Sequence, residues 1–285
     1  MASLKEIKNR LGSIRNTQKI TSAMKMVSSA KLHHIQNISE HSLAYAEKLS
    51  GIFNALLSVE CDQESPFIQQ REVKKATVIV FSSSTGLCGA FNANTIKEAH
   101  AIASEYKKKN IETTFFPIGK KIDNELKKAG YQVDRRFLLL ADKLNYKEVE
   151  NFATELQKLF VAGDTDEVVL LYHHFKNMAE QPCEKKNYLP FTIPETNKNI
   201  VNNDYILEPS AEELREMIIP KMLNLTLYAT VLDTITSEHA ARMMAMQTAN
   251  DNANNLIQEL TLQYNKTRQQ AITNELLDIM GGIKR

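Results

Sequence analysis

The chain has 285 residues, of which 43% are hydrophobic and 24% are charged, and its formal net charge at pH 7 is +1. This composition is typical of an ordinary globular protein and excludes a disordered or collagen-like chain. No stretch approaches the roughly 20 consecutive apolar residues of a membrane span, and the first ten residues lack the apolar core of a signal peptide. We therefore expect a chain of cytoplasmic origin that does not insert into a membrane.

The first segment, residues 1–59, is predicted to be one long helix. Between Leu4 and Val59 there is no proline, and apolar residues recur at steps of three and four. About 55 residues would extend roughly 80 Å, which is longer than a domain of this size is wide. Such a helix needs a partner along its length. The apolar positions are Leu4, Ile7, Leu11, Ile14, Met24, Val27, Tyr45, Leu49, Ile52, Leu56 and Val59.

The beginning of this helix is strongly basic. The first 36 residues carry seven Lys or Arg residues and the single acid Glu6, which predicts an acidic partner for this segment. A nucleic-acid arm is the alternative, but no aromatic residue is interleaved with the basic ones to stack on bases. We therefore expect a protein partner and no nucleic acid.

The central segment, residues 60–209, is predicted to be an α/β domain. A charged stretch from Glu60 to Lys75 breaks the helical pattern, and Ala76–Phe81 has the continuous apolar character of a buried strand. Strand-like and helical segments then alternate, which predicts a mostly parallel sheet covered by helices. The other predicted strands are Glu112–Phe116, Glu167–Tyr172 and a weaker one near Tyr188–Thr192, and the predicted helices are Thr95–Lys109, Lys120–Lys128 and Tyr146–Phe160.

The last segment, residues 210–285, is predicted to be a second long helix. An Asn-rich loop at Thr196–Asp204 precedes it, and Ser210 and Glu213 have the spacing of a capping box. The helix should run to about Met280. We expect a bend at Pro220 and a stop at Gly281-Gly282.

The two long helices are expected to pair. The inserted domain begins near Val59 and ends near Ser210, so both helices leave it at one place and should form an antiparallel coiled coil. The first helix matches the second only to about residue 265 and leaves some 20 residues without a partner. Another protein should cover this overhang, Lys266–Arg285, because a helix of that length is marginal alone. Its apolar residues are Ile272, Leu276, Leu277, Ile279 and Met280.

A glycine-containing loop, Ser82–Asn92, follows the first predicted strand. This is the place where α/β proteins often bind phosphate on backbone amides. The loop matches neither GxGxxG nor GxxxxGK[ST], and it contains no Lys, Asp or Glu. These facts favour a structural turn, and a phosphate-binding enzyme that uses the loop around Gly86 remains the alternative.

Two parts of the second helix are unusual for a plain coiled coil. In Ser237–Met243, the polar residues His239 and Arg242 lie on or beside the apolar seam, which is typical of a layer that fixes register. Further on, Ala249–Asn255 is slim and rich in poor helix formers. Such a stretch suits close passage along another surface.

The cysteines and the paired histidines do not form metal-binding patterns. Cys61, Cys88 and Cys183 are far apart and odd in number, which favours reduced thiols over a disulfide framework or a zinc site. His33-His34 and His173-His174 are adjacent pairs, and neighbours on a helix or strand point to different faces. We therefore predict neither a metal site nor a cofactor.

Four separated blocks of the sequence point to one protein family. They are Asn16–Thr21 with Ala23–Val27, Gly86–Gly89 with Phe91-Asn92, Ser237–Met243, and Tyr264–Lys266 with Arg268-Gln269 and Ile272–Leu276. Over essentially its whole length, the chain resembles the gamma-subunit family of bacterial-type rotary ATP synthases. The resemblance implies a long coiled coil with an inserted Rossmann-like α/β domain.

The resemblance also implies a function. Gamma subunits form a shaft inside a ring of alternating alpha and beta subunits, with the Rossmann-like domain near the epsilon subunit and the membrane rotor ring of c subunits. The shaft couples proton flow to ATP synthesis and regulates ATPase activity. On this resemblance we expect a rotor subunit that is not catalytic on its own and lies peripherally on the cytoplasmic face of the bacterial inner membrane.

Contacts with other subunits are implied for particular residues. Lys8, Arg15 and Lys19 are expected to meet an acidic loop of the beta subunit, and Arg268 and Gln269 resemble positions that touch a beta loop higher up. The other interface positions implied by the resemblance are Met24, Glu238, Arg242, Thr273 and Glu275.

The sequence departs from the family pattern in two places. Ser84-Thr85 stands where family members usually have Asp-Arg, so we expect no ionic role for that loop. Gly282 is followed by Ile283 rather than by the usual Gly-Ala continuation, so the contacts of the tip, Ile283–Arg285, should differ. The paired-cysteine insertion used for redox control in chloroplasts is missing, and redox gating is not expected.

Two other functions remain open from the residues alone. One is an α/β enzyme with a phosphate ligand at the Gly86 loop, which saturable ligand binding would favour. The other is a coiled-coil adaptor unrelated to energy conversion, which copurification without ATPase subunits would favour.

Overall fold

The computed structural model describes residues 3–57, 65–142, 144–192, 208 and 210–282. Long helices at the two ends of the chain flank a central sheet, and shorter helices connect its strands. In chain order the elements are α1 (Leu4–Leu57), β1 (Lys75–Phe81), α2 (Phe91–Lys108), β2 (Glu112–Ile118), α3 (Lys120–Lys128), β3 (Gln132–Val133), α4 (Tyr146–Val161), β4 (Glu167–His173), β5 (Cys183–Leu189) and α5 (Ala211–Gly282).

The sheet has the strand order β3-β2-β1-β4-β5. β1 pairs in parallel with β2 and β4, β2 pairs in parallel with β3, and β5 is antiparallel to β4. An order of 3-2-1-4-5 is that of doubly wound nucleotide-binding sheets, in which the strand order reverses between strands 1 and 4. The predicted fold class, an α/β domain of Rossmann type between two long terminal helices, is confirmed.

Strand residues alternate between two apolar clusters, one on each face of the sheet, and both faces are therefore buried. Ile79 and Phe81 of β1 belong to the cluster that includes α1, α4 and the first part of α5. Val78 and Val80 belong to the cluster that includes α2 and α3. Burial on both faces explains why β1 has a continuous apolar sequence rather than an alternating one.

The helix ends agree with the sequence within a few residues. The Ser210 hydroxyl accepts a hydrogen bond from the Glu213 N–H at 3.2 Å, as the predicted cap requires. At the start of α1, Ser3 and Glu6 form a reciprocal capping box that was not predicted. α5 is continuous through Pro220 and ends at Gly282, two residues beyond the predicted end.

The edges of the sheet were predicted less well. β5 occupies Cys183–Leu189 rather than Tyr188–Thr192, because the charges of Glu184, Lys185 and Lys186 hide the strand from an apolar pattern. Charged side chains are typical of edge strands, where they discourage pairing with other chains. The two residues of β3 were not predicted, and α2 begins at Phe91 rather than Thr95.

The chain separates into two compact units. The α/β unit comprises Lys31–Ala241, and the helical-end unit comprises Met1–Ala30 with Arg242–Arg285. These units follow spatial contacts, whereas the division into residues 1–59, 60–209 and 210–285 follows helix ends and stays a prediction.

Cys88 and Cys183 are free thiols, as expected, and burial raises the pKa of Cys183 to about 12. Cys61, the predicted loop at Thr196–Asp204 and the tip residues Ile283–Arg285 lie outside the described residues.

Candidate functional site

The loop between β1 and α2 lies at the carboxyl end of β1, next to the point where the strand order reverses. Ligands of doubly wound folds bind at this position. Leu87 and Gly89 adopt left-handed backbone conformations, with φ values of 63° and 60°. Such angles make a sharp turn, and a non-glycine residue accepts them only where its surroundings impose them.

The polar groups of this loop bind one another. The Asn92 side chain accepts a hydrogen bond from the Ser83 N–H at 3.1 Å and donates one to the Ser83 hydroxyl at 2.8 Å. It also donates to Cys88 Sγ at 3.1 Å. Asn92 therefore closes the loop onto its own strand, and its amide is not directed at a ligand.

Two charged side chains from other parts of the chain lie next to this loop, which contains no charged residue of its own. A Cβ atom added to Gly86 would lie 4.0 Å from Lys121 Nζ. The Ser84 hydroxyl donates a hydrogen bond to the Asp142 carboxylate at 2.9 Å. The Asp142 carboxylate would oppose a bound phosphate and the Lys121 amino group would favour one, because like charges repel and unlike charges attract. Neither contact could be predicted, since both residues lie more than 30 positions further along the chain.

The end of β2 packs tightly on the same loop. Gly119 has a φ of 104°, and a Cβ added there would lie 2.1 Å from the Ser82 carbonyl oxygen. The Ser82 hydroxyl accepts a hydrogen bond from the Ile122 N–H at 3.1 Å. Glycine is therefore required at position 119, and the contact holds the loop in one conformation. These contacts describe a closed structural turn, as the sequence favoured.

The predicted basic face is exposed on α1. Lys8, Arg15 and Lys19 are all exposed side chains in the helical-end unit. Their spacings of seven and four residues place them on one side of the helix. Met24, another predicted contact residue, lies on the other side of α1 and is half-buried.

The predicted contact residues near the end of α5 are also exposed. Arg268, Gln269, Thr273 and Glu275 are exposed side chains, and the Thr273 hydroxyl donates to the Gln269 carbonyl at 2.9 Å. That bond lies within the helix itself. All four side chains thus remain accessible to another subunit.

The remaining two predicted contact residues are less accessible. Glu238 is half-buried in the α/β unit, and Arg242 has only 7% of its surface exposed in the helical-end unit. The sequence gave no sign that Arg242 is buried, because arginine side chains are mostly exposed in folded proteins. A role for either residue in subunit contact stays a prediction.

The apolar residues of the predicted overhang are exposed. Ile272, Leu276, Leu277, Ile279 and Met280 have between 47% and 68% of their surface exposed.

In the helical-end unit, the Gln18 side chain donates a hydrogen bond to the Asn254 side chain. Leu4 lies 14 residues before Gln18, so antiparallel pairing at equal rise would place Leu4 opposite Arg268, 14 residues after Asn254.

The structure defines the class of protein as an α/β domain of Rossmann type inserted between two long terminal helices. The sequence matches the ATP synthase family over residues 3–284. It is 62% identical to the ATP synthase gamma chain of Parabacteroides distasonis, covering 99% of this chain and 98% of that one. It is 48% identical to the ATP synthase gamma chain of Bacteroides thetaiotaomicron, with 99% of each chain covered.

Solved structures agree with the fold. The rotor of the Euglena gracilis mitochondrial ATP synthase matches with a TM-score of 0.59 at 18% identity, covering 94% of this chain and 98% of that chain. A central stalk chain of the Tetrahymena thermophila enzyme matches with a TM-score of 0.55 at 21% identity, covering 81% and 99%. This chain therefore belongs to the gamma-chain family of ATP synthases, and the family expected from the resemblance is confirmed.

No helix within the described ranges is long and apolar enough to cross a membrane.

Proposed function

We propose that this chain is the non-catalytic central shaft of a proton-translocating ATP synthase. It transmits torque between a membrane rotor ring of c subunits and the catalytic beta subunits. The observation that carries the proposal is the 62% sequence identity to a bacterial ATP synthase gamma chain over 99% of this chain. Within such a complex the chain lies peripherally, on the cytoplasmic face of the bacterial inner membrane.

A shaft needs stiffness and directional contacts. α5 is a single helix of 72 residues, and its backbone hydrogen bonds join successive turns except for the N–H that Pro220 lacks. Its first part is embedded in the α/β unit, where Leu223, Leu227 and Val231 are buried. A torque applied to the α/β domain would therefore act directly on α5, because the first part of this helix is packed inside that domain.

The proposed contacts with the catalytic ring are electrostatic on α1. Lys8, Arg15 and Lys19 present three positive charges on one exposed side, which suits an acidic loop of the beta subunit. Charges of this kind set orientation more than they add affinity. Met24 is proposed as a further contact residue, and its spacing places it on the other side of α1 from these charges.

Near its end, α5 would contact a second beta loop and the ring that surrounds the tip. Arg268 and Gln269 would touch that loop, and Thr273 and Glu275 lie within the next two turns. Glu238 and Arg242 are proposed to act at the interface closer to the α/β unit.

The α/β domain is proposed to contact the epsilon subunit and the c ring, and to contribute no bond chemistry. Support for the second point comes from the loop after β1, whose polar groups bind one another. The chain would regulate ATPase activity only through the catalytic beta subunits. Neither a cofactor nor a nucleic acid belongs to this function.

The direct test uses the tagged chain in its native cells. We expect the alpha, beta, epsilon and c subunits to copurify with it. Membranes that lack the chain should lose ATP-driven proton pumping, and its return should restore pumping. Copurification without any ATPase subunit would favour a coiled-coil adaptor instead.

A second test separates a shaft from an enzyme. Calorimetry of the isolated chain with Mg-ATP should give no saturable heat of binding, because the loop after β1 lacks the pattern of a phosphate-binding loop. Saturable micromolar binding that is lost in Gly86→Leu or Gly89→Leu would contradict a non-catalytic chain.

A further inference from the structure

Three consecutive residues at the end of β4 bind two residues of α5 that lie one helical turn apart. We call this group the β4–α5 junction; it comprises His173, His174 and Phe175 from the strand end with Asp233 and Ser237 from the helix. All five lie within the α/β unit. No motif of the sequence marked Asp233.

Asp233 binds the strand end with both of its carboxylate oxygens. Oδ1 accepts a hydrogen bond from the Phe175 N–H at 2.7 Å, and Oδ2 lies 2.7 Å from His174 Nδ1. An ionised carboxylate only accepts, so His174 Nδ1 carries the proton and donates. Hydrogen bonds to charged groups are about twice as strong as neutral ones.

Ser237 adds a neutral bond one turn further along α5. Its hydroxyl donates to the His173 carbonyl at 3.0 Å, and the Ser237 side chain is fully buried. Residues four apart on a helix lie on one face, so Asp233 and Ser237 meet the strand end together. This pair blocks both rotation of α5 about its axis and sliding along it.

The strand end is itself held from the opposite side. The His173 ring stacks on Phe91 of α2 with 4.0 Å between the ring centroids, and its Nδ1 lies 3.5 Å from the Thr95 hydroxyl. β4 also pairs with β1 on one side and β5 on the other. The strand whose end contacts α5 is therefore held by a strand on each side and by α2.

Apolar packing acts beside these hydrogen bonds. The contacts of Leu227, Val231 and Leu232 with the rest of the core are non-directional, and they depend on buried area more than on the angle of the helix. Hydrogen bonds weaken steeply when they are bent or stretched. The junction is thus the directional part of the contact between sheet and helix.

We propose that Asp233, assisted by Ser237, is a positioning residue for energy coupling. It fixes the rotational position of α5 against the end of β4, so that torque on the α/β domain passes into the shaft without slip. The proposal rests on the proposed function as a rotor shaft. A loosened junction would let ATP hydrolysis continue while proton pumping falls behind.

The test uses the complete ATP synthase reconstituted in vesicles, with ATP hydrolysis and proton pumping measured on the same sample. In Asp233→Ala, pumping per ATP hydrolysed should fall roughly threefold or more, while hydrolysis stays within about twofold. Asp233→Asn keeps an oxygen for the Phe175 N–H and should recover at least about half of the lost coupling. Ser237→Ala should give a smaller loss.

Glu180→Ala is the matched control. Glu180 also lies just after β4 and is an exposed carboxylate, but its ion-pair partner is Lys176, at 3.2 Å. This variant should pump as the parent complex does, because the Glu180–Lys176 pair joins two residues of the β4–β5 connection and does not join the strand end to α5. If Asp233→Ala does not assemble, Ser237→Ala and Asp233→Asn decide the question by the same ratio.

Two results would overturn the proposal. One is unchanged pumping per ATP hydrolysed in Asp233→Ala. The other is a parallel loss of hydrolysis and pumping, or an Asp233→Asn complex no better than Asp233→Ala, since either shows a general folding role. Failure of the proposed function is a separate result, in which membranes without this chain pump as well as membranes with it.

Discussion

The two ends of α5 are chemically similar but lie in different surroundings. Leu227 in the first part has none of its surface exposed, whereas Leu276 and Leu277 near the end have 56% and 60% exposed. Both regions have apolar residues at helical spacing. The difference lies in their neighbours, because α1, α4 and the sheet surround the first region and the described chain leaves the last one uncovered.

This contrast separates two physical tasks within one helix. Burial of a leucine removes its side chain from water and contributes roughly 1.5–3 kcal/mol to folding, so the first part of α5 stabilises the chain itself. An isolated helix of about 20 residues is marginal in water, so the last part depends on other subunits. Apolar periodicity alone does not distinguish folding from assembly.

The largest expected effect is on folding, at Leu227. Leu227→Ala should lower the free energy of unfolding of the isolated chain by about 3 kcal/mol, because it leaves a cavity in the core. The matched change Leu276→Ala should lower it by less than about 0.5 kcal/mol. Guanidinium unfolding of both variants measures the difference, and equal losses would show that the end of α5 packs on its own chain.

A second effect concerns pH and the buried His173. Burial lowers the pKa of His173 from 6.5 to about 4. Between these values the unfolded chain binds a proton that the folded chain does not, so stability falls as the pH drops through this window. The loss should reach up to roughly 3 kcal/mol at pH 4.

His173→Phe tests this assignment, since it keeps an aromatic ring on Phe91 and removes the titrating group. Stability measured by urea unfolding from pH 7 to pH 4 should then lose this part of its slope. His33→Phe, at an exposed position of α1, serves as the control and should leave the slope in place. An unaltered slope in His173→Phe would place the acid sensitivity elsewhere.

The smallest effect on stability is expected at the basic face of α1. Changing Lys8, Arg15 and Lys19 together to Gln should alter the free energy of unfolding by no more than about 1 kcal/mol, because exposed charges contribute little to folding. Proton pumping per ATP hydrolysed should nevertheless fall, since these charges set the contact with the beta subunit.

A triple change of Lys97, Lys107 and Lys108 to Gln gives the matched control. These residues are also exposed, but they lie on α2 in the α/β unit. Coupling should stay at the parent level in this variant. Unchanged pumping and hydrolysis in the α1 variant would remove the basic face from the path of torque.

Most of the fold could be predicted because it depends on local pattern. Buried strands such as Ala76–Phe81 have continuous apolar sequences, and Ser210 marks a helix start by its chemistry alone. The strand predicted near Tyr188–Thr192 was placed too late in the chain, because Lys185 and Lys186 of β5 carry the charges of an edge strand. Its identity as a strand depends on pairing with β4, which is not encoded in its own composition.

The exposure of several predicted contact residues could be expected from the sequence, whereas the contacts around the loop after β1 and around Asp233 could not. The exposed positions of Lys8 and Arg268 follow from helical periodicity and from the resemblance to a family. The approach of Lys121 and Asp142 to the loop after β1, and of Asp233 to the end of β4, joins residues that are more than 30 positions apart. Such contacts depend on the topology of the sheet, which a single sequence indicates only in outline.

Amide hydrogen exchange over Thr273–Met280 tests most directly the claim that the end of α5 is completed by other subunits. We compare the isolated chain with the assembled complex. The segment should exchange quickly in the free chain and become strongly protected in the complex, while Leu223–Ile235 is protected in both. Strong and equal protection of Thr273–Met280 in both samples would contradict the account, because it would show that the chain orders this end by itself.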